Sequence, residues 1–228
     1  MTQVDYRAKL TNKDGAVGAE EIFGPDVPSN ILQPLRKTKG VLFPYTPSIT
    51  TGSEAEYDQT PFVHSIYGYN AYVRSFPKLI GITAEFTAQT IKESYYMLSV
   101  LHFFRVITKS YFGVQTYNKS GTPPPILLFN YLGDYLFSNV PVVVRTFDYT
   151  LPADVDYVPV NTTGFSPGKA GATSSLPGSQ TTRKGWTYVP THVSVNISLD
   201  TQYTPYTLKE EFNLENFRTG RLMDQGWI

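Results

Sequence analysis

Histidine is the side chain most often used to move protons near neutral pH or to hold a transition metal, and this chain carries three, His64, His102 and His192. They are isolated from one another. None has a metal-ligand partner at a usual spacing and no HExxH pair occurs, so each reads as a structural histidine. Glu54, Glu56 and Asp58 could be imagined as carboxylates for glycoside hydrolysis or calcium binding. The residues around them lack the glycine turn and ligand series of an EF-hand, so a solvated acidic face is the expected outcome. Glu85 stands just before a predicted helix and reads as a solvent-facing or cross-strand partner, not as a general acid.

The other familiar routes to catalysis are missing as well. With no cysteine, disulfides, thiolate metal sites and thiol nucleophiles are excluded. GxSxG, GxxxxGK[ST] and GxGxxG do not occur, and the glycines sit in turn contexts. Lys92, Arg105 and Lys109 share one predicted helix but have no accompanying aromatic stacking pattern, which describes a solvated helix edge. Lys plus Arg and Asp plus Glu both count 19, so no net field draws in a polyanion or an acidic membrane. The chain is expected not to be an enzyme and to use no cofactor and no metal.

What remains is a question of elements. The 228 residues can bury one substantial core, which suggests a single domain with arms. Seventeen Tyr, 14 Phe, 17 Gly and 17 Pro beside 17% charged residues describe strands separated by turns. Tyrosine is also enriched at protein interfaces. Met1 to Glu20 lacks the apolar run of a secretory leader. Tyr95 to Ile107, interrupted by Ser99, His102 and Arg105, falls short of the roughly 20 residues that span a bilayer. A soluble chain is expected.

Prolines at 25, 28, 34, 44 and 47 keep interrupting the first sixty residues, so 1–40 is predicted to be an extended arm, with Gly40 to Tyr45 able to pair. Phe62 to Phe76 reads as a strand or bent hairpin arm. Ile80, Ile82, Ala84 and Phe86 alternate with polar positions, the period of a half-buried strand. Thr90 and Glu93 have capping-box spacing and open the only convincing helix, about 20 residues long, with Gly113 as its stop. Ile91, Tyr95, Leu98, Leu101, Arg105 and Thr108 follow the helical period, widened by Phe104, Val106 and Ile107 into one broad face.

After the rigid Gly121 to Pro125 lead, Ile126 to Asn130 predicts a short strand, and Gly133 and Asp134 a turn. Tyr135 to Phe137 and Val140 to Tyr149 follow as strands, with Val142 and Val144 on one face and Val143, Phe147 and Tyr149 on the other. Such a strand is expected to be covered on both sides. Asn161 to Lys184 reads as an exposed Gly/Ser-rich loop, and Val193 to Leu199 as an amphipathic strand. The organisation read from this pass is an arm at 1–40, a domain at 41–207 and a C-terminal docking tail at 208–228, whose large aromatics would otherwise form an adhesive patch.

As an ordered set, Phe43-Pro-Tyr-Thr-Pro47, Phe86-Thr-Ala-Gln-Thr90 leading into His102-Phe-Phe-Arg105, Gly121-Thr-Pro-Pro-Pro125, Asn139-Val-Pro-Val-Val-Val144, Leu151 to Val160 and Pro190-Thr-His-Val-Ser-Val195 resemble the baseplate tail-tube proteins of contractile-tailed bacteriophages. The resemblance runs over roughly residues 40 to 220; the first forty residues and the Asn161 to Lys184 loop match nothing in it. It implies a mainly β chain with one flanking α-helix (α+β), a tail-tube-like antiparallel sandwich or barrel subunit, of which six copies close into a ring around a channel. Ring closure would let each sheet edge pair with the next copy.

The implied function is that of a tube initiator, connecting the hub and spike complex to the first ring of the main tube protein. The implied partners are further copies of the chain, the adjacent tube ring, the hub and spike, the tape measure protein and the sheath. Genomic DNA would pass only transiently through the lumen, and no membrane is involved. Localisation would be the virion tail, after synthesis in the host cytoplasm. Residues expected to build the core and the assembly contacts are Phe43, Tyr45, Phe86, Leu98, Phe103, Phe104, Pro124, Val142, Val144, Tyr157 and Val195. The alternatives are a main tube or terminator subunit and, in a different class, a carbohydrate-binding β-sandwich; a hydrolase would need a convergent polar cluster at a recognisable spacing.

Overall fold

The computed structural model describes residues 6–13, 22–24, 30–110, 121–161 and 186–228. In chain order these form β1 (Lys9–Asn12), α1 (Gln33–Thr38), β2 (Gly40–Leu42), β3 (Ser48–Thr50), β4 (Ser53–Thr60), β5 (Tyr69–Pro77), β6 (Ile80–Thr87) and α2 (Ile91–Ile107). There follow β7 (Leu127–Tyr131), β8 (Phe137–Thr150), β9 (Tyr157–Asn161), β10 (Trp186–Pro190), β11 (His192–Thr201), α3 (Pro205–Glu210), α4 (Leu214–Arg218) and a 3-10 turn at Met223–Gln225. The protein is mainly β, with antiparallel pairing throughout the described residues. Seven strands build one sheet in the order β2-β1-β7-β8-β11-β6-β3, while β4–β5 and β9–β10 are separate two-stranded ribbons.

Alternation decides which face of the large sheet is buried. Ile80, Ile82, Ala84 and Phe86 of β6 stand beside Val193, Val195, Ile197 and Leu199 of β11, and all are at most 2% exposed. Burying a side chain of this kind contributes about 1.5–3 kcal/mol. α2 lies on that face, and its start follows the predicted capping box. The Thr90 hydroxyl accepts from the Glu93 N–H at 3.3 Å, and the Glu93 carboxylate accepts from the Gln89 and Thr90 N–H groups at 2.8 and 3.2 Å. These backbone donors, Gln89 first, hold the Glu93 carboxyl below its ordinary pKa.

Two expectations about this helix need correction. It ends at Ile107 after 17 residues, and the predicted stop, Gly113, lies outside the described residues. Its buried arc, Ser94, Met97, Ser99, Val100, Leu101, Phe103, Phe104 and Ile107, is not centred on the predicted stripe: Leu98 and Tyr95 are half-buried, and Ile91 and Val106 are exposed. The cause is cover from several sides, which a single stripe does not describe. Phe104 stacks on Phe147 of the sheet at 4.8 Å, Phe103 stacks on Phe23 at 5.7 Å, the Ser99 hydroxyl donates to the Ile31 carbonyl at 2.6 Å, and Val160 and Val189 join the core from the β9–β10 ribbon.

The strand β8 also departs from the predicted faces. Ser198 pairs with Thr146 but Leu199 with Val144, so Arg145 has no opposite residue in β11. This bulge inverts the alternation beyond it. Val142, Val144, Phe147 and Tyr149 therefore share the α2 side, where Arg105 lies over the Tyr149 ring at 5.1 Å. The opposite face is mostly polar, carrying Thr83, Glu85, Thr146, Asp148, Ser194, Asn196, Ser198 and Asp200, and is not the second apolar layer expected of this strand.

The described part of 1–40 is not an arm. β1 is inserted between β2 and β7, and Ala8, Leu10, Ile22, Phe23, Leu32 and Leu35 are buried. Four strand residues are too few for a visible period, and Pro34 sits in the first turn of α1, where a missing N–H costs no helical bond. Gly40 is required at its position, because a Cβ there would meet the Leu10 carbonyl oxygen at 1.9 Å. The closing segment folds into short helices and packs on Tyr203. Trp227 stacks on Tyr203 at 4.5 Å and packs against Phe212, and the Tyr203 hydroxyl donates to the Gly226 carbonyl at 2.7 Å. α1, α3 and α4 are short helices beside the long α2.

Candidate assembly surface

The residues first weighed for chemistry do not converge. His64 lies in the exposed β4–β5 loop, with φ at 63°, and not in a strand. His102 is half-buried on α2, its pKa lowered by burial and then by Arg105. His192 Nε2 stands 3.6 Å from the exposed Glu85 carboxylate, which makes Glu85 a cross-strand partner. Glu54 and Glu56 are on a strand, where Lys78 and Arg74 pair with them at 3.2 and 2.5 Å. Among the described residues no group of three His, Asp or Glu side chains is placed to hold a metal, and no helix is long and apolar enough to cross a membrane.

The unusual feature is the β4–β5 ribbon. β3 runs into β4 and β5 into β6 across two-residue breaks, and the Lys78 N–H to Gly52 carbonyl bond, at 2.7 Å, closes its base. The ribbon is therefore a continuation of the β3–β6 pair that projects from the sheet as an arm. On one side stand Glu54, Glu56, Asp58 and Arg74; on the other a bulge near Val73 places Tyr57 against Tyr72, edge to face at 5.7 Å. The tip is apolar and uncovered: Val63 is 86%, Ile66 93% and Tyr67 83% exposed, beside an exposed Phe62. Contiguous apolar surface of this kind marks an interaction site.

The edges of the large sheet differ from what closure by strand pairing would need. On β2 the Leu42 carbonyl accepts from the Tyr96 hydroxyl and the Leu42 N–H donates to it, both at 2.8 Å, and the Gly40 carbonyl accepts from the Thr38 hydroxyl at 2.5 Å. α1 and α2 thereby seal this edge. Burial pushes the Tyr96 phenol pKa up. β3, the other edge, is three residues long and follows Pro47, which has no N–H.

Most residues chosen from the sequence motifs lie in the core. Phe43, Phe86, Phe103, Phe104, Val142, Val144 and Val195 are buried, and Leu98 and Pro124 are half-buried. Tyr45 and Tyr157 are exposed; the Tyr45 hydroxyl hydrogen-bonds Thr87 at 2.7 Å. The arm-tip residues were not singled out, although Phe62-Val-His-Ser-Ile-Tyr67 lies within the segment read as a hairpin arm; an apolar run between turn signals is the sequence trace they leave. The Gly/Ser-rich loop reading falls on residues outside the described set, apart from Asn161 in β9. No family model matches the chain, and a search of curated proteins also finds no match.

Proposed function

We propose that this chain is a structural subunit of a contractile phage tail, forming the six-membered baseplate ring from which the tail tube grows, with no catalytic role. The observation that carries the reading is the arm. An exposed apolar tip on a ribbon held away from the core is costly in water and gains by entering another chain. The resemblance of the motifs to baseplate tail-tube proteins supplies the kind of assembly, and the antiparallel α+β architecture is compatible with it. The polar sheet face supports the same reading. Hydroxyls and amides of Thr83, Ser194, Asn196 and Ser198 stand there beside Asp148. The basic Arg145 and His192 lie against the carboxylates of Asp200 and Glu85 at 3.9 and 3.6 Å, so the face offers little unpaired positive charge to a phosphate backbone and DNA could pass such a wall without adhering.

In this role the chain meets its own copies, the first main tube ring and the hub and spike proteins, inside the virion. Cryo-electron microscopy of intact tails carrying the chain tests the proposal. A six-fold ring between hub and tube is the expected result. Continuous density along the tube would make it the main tube subunit, and absence from the tail would leave carbohydrate binding as the better reading.

A further inference from the structure

A strand at the margin of a sheet carries a row of backbone donors and acceptors that another chain can pair with, and proteins blunt such rows with prolines, bulges, cover or short length. The edge strands among the described residues differ in this respect. β2 is sealed by Thr38 and Tyr96, and β3 is three residues long behind Pro47. β9 contains Pro159 and β10 ends on Pro190. β5 is interrupted by the bulge near Val73 and ends on Pro77. β4, eight residues long, has no proline, no extra residue and no strand on its outer side.

The phase of the ladder shows which groups of β4 are free. The Lys78 N–H to Gly52 carbonyl bond makes Gly52 and Lys78 a hydrogen-bonded pair, and Glu54–Phe76 and Glu56–Arg74 repeat it at steps of two. Between them, Ser53 and Ala55 turn N–H and C=O away from β5. Their opposite residues, Pro77 and Ser75, point outward on the other edge, where the missing N–H of Pro77 costs the ribbon no bond. Among the described residues no backbone group of Ser53 or Ala55 bonds elsewhere, and both residues are exposed.

Side chains define the strand that fits. Glu54, Glu56 and Asp58 share one face of β4 at every second residue, while Tyr57 stands between Ala55 and Gln59 on the other. Asp58 has no hydrogen-bond or ion-pair partner among the described residues. Lys78 and Arg74 pair with Glu54 and Glu56 in exposed contacts, which bind such carboxylates weakly. A second β4 laid here would set carboxylates against carboxylates, and the β5 edge of another copy offers one cation, Arg74, beside its bulge. A strand with Lys or Arg at alternate positions meets opposite charge on one face, and β-branched or aromatic residues between them pack beside Tyr57 on the other.

We propose that the outer edge of β4 is a docking site for one extended segment of a partner protein, basic at alternate positions, which adds to the ribbon as a third strand. Main-chain bonds would supply the affinity and the alternate side chains the selectivity. That the partner is a neighbouring tail protein rests on the assembly reading; the edge and its charge preference do not.

An eight-residue peptide alternating Lys and Val, the length of β4, tests the site on the full chain, with binding read from the amide NMR shifts of Ser53 and Ala55. It should bind about tenfold more tightly than the same peptide with Glu in place of Lys. Methylating the alternate set of peptide nitrogens that faces β4 should abolish binding, and methylating the other set should spare it. Ala55→Pro, which removes an outward N–H, should lower affinity about tenfold, and Ser75→Pro on the β5 edge should leave it unchanged. The methylated peptides give their reading on the unaltered chain even where Ala55→Pro does not fold. No binding by the Lys peptide, equal binding by the Glu peptide, or indifference to both methylation patterns would overturn the docking edge. Equal loss in Ala55→Pro and Ser75→Pro would overturn its assignment to β4. Each of these outcomes leaves the six-fold ring to stand or fall on the microscopy of tails.

Discussion

The large sheet and the β4–β5 arm are made of the same materials, alternating strands with aromatic residues, and treat them in opposite ways. In the sheet, Phe86, Phe129, Val142 and Val195 are closed off by α2, the N-terminal segment and the β9–β10 ribbon, and the solvent face is polar. In the arm, Tyr57, Tyr72, Phe62, Ile66 and Tyr67 remain in water on both the shaft and the tip. A two-stranded ribbon has no layer to pack on and is marginally stable by itself. The sheet's residues therefore serve this chain's own stability, and under the proposed function those of the arm serve another chain. On that proposal the comparison teaches where an aromatic residue's energy is collected: by folding in one region, by assembly in the other.

That contrast can be broken by substitution. The largest effect is expected at Phe104, fully buried and in ring contact with Phe103 and Phe147 at 5.4 and 4.8 Å. Phe104→Ala should cost about 3–5 kcal/mol, read as a lower denaturant midpoint; a loss under about 1 kcal/mol would show that α2 is not the lid of this core. Next comes Tyr96→Phe, which leaves the Leu42 N–H and carbonyl without their partner. A loss of about 1–3 kcal/mol is expected, with greater aggregation from the unsealed edge, monitored by chemical denaturation and light scattering. An unchanged edge would mean that strand pairing between copies was never blocked.

The docked tail gives a pH-dependent test. Burial pushes the Tyr203 phenol up to about 12 from an ordinary 10. A raised folded-state pKa means that the neutral phenol stabilises the native state fully below pH 10, and that this contribution is lost as pH rises from 10 to 12. Thermal unfolding followed across that window should show the drop, and Tyr203→Phe should flatten it. The smallest effect on folding belongs to the arm. Ile66→Asp should change stability by less than about 0.5 kcal/mol, as a surface substitution does, while abolishing self-association in sedimentation. If it unfolds the chain instead, the division between folding and assembly residues fails.

Legibility followed the range of the interactions. The capping box at Thr90 and Glu93 was readable because its partners are three residues apart, and the β6 and β11 faces because alternation is a property of neighbouring residues. The rotation of α2 away from its Ile91–Leu98 stripe was not readable, since a helix that is apolar nearly all round takes its orientation from what covers it. Nor was the face of Phe147: one bulged residue, Arg145, reverses every side chain beyond it, and the strand's own sequence does not mark the place. β1 was hidden because four residues carry too little pattern to oppose the prolines around them.

By itself, then, the sequence determined the mainly β class, the long capped helix and the two amphipathic strands of its core, because backbone propensity, capping and period are set within a few residues. The tertiary structure alone decided which aromatic residues are core and which are surface, that the β2 edge is sealed by a hydroxyl 54 residues away, and that among the described residues nothing covers the apolar tip near Ile66. Those outcomes depend on contacts between distant segments, and local pattern carries no record of them.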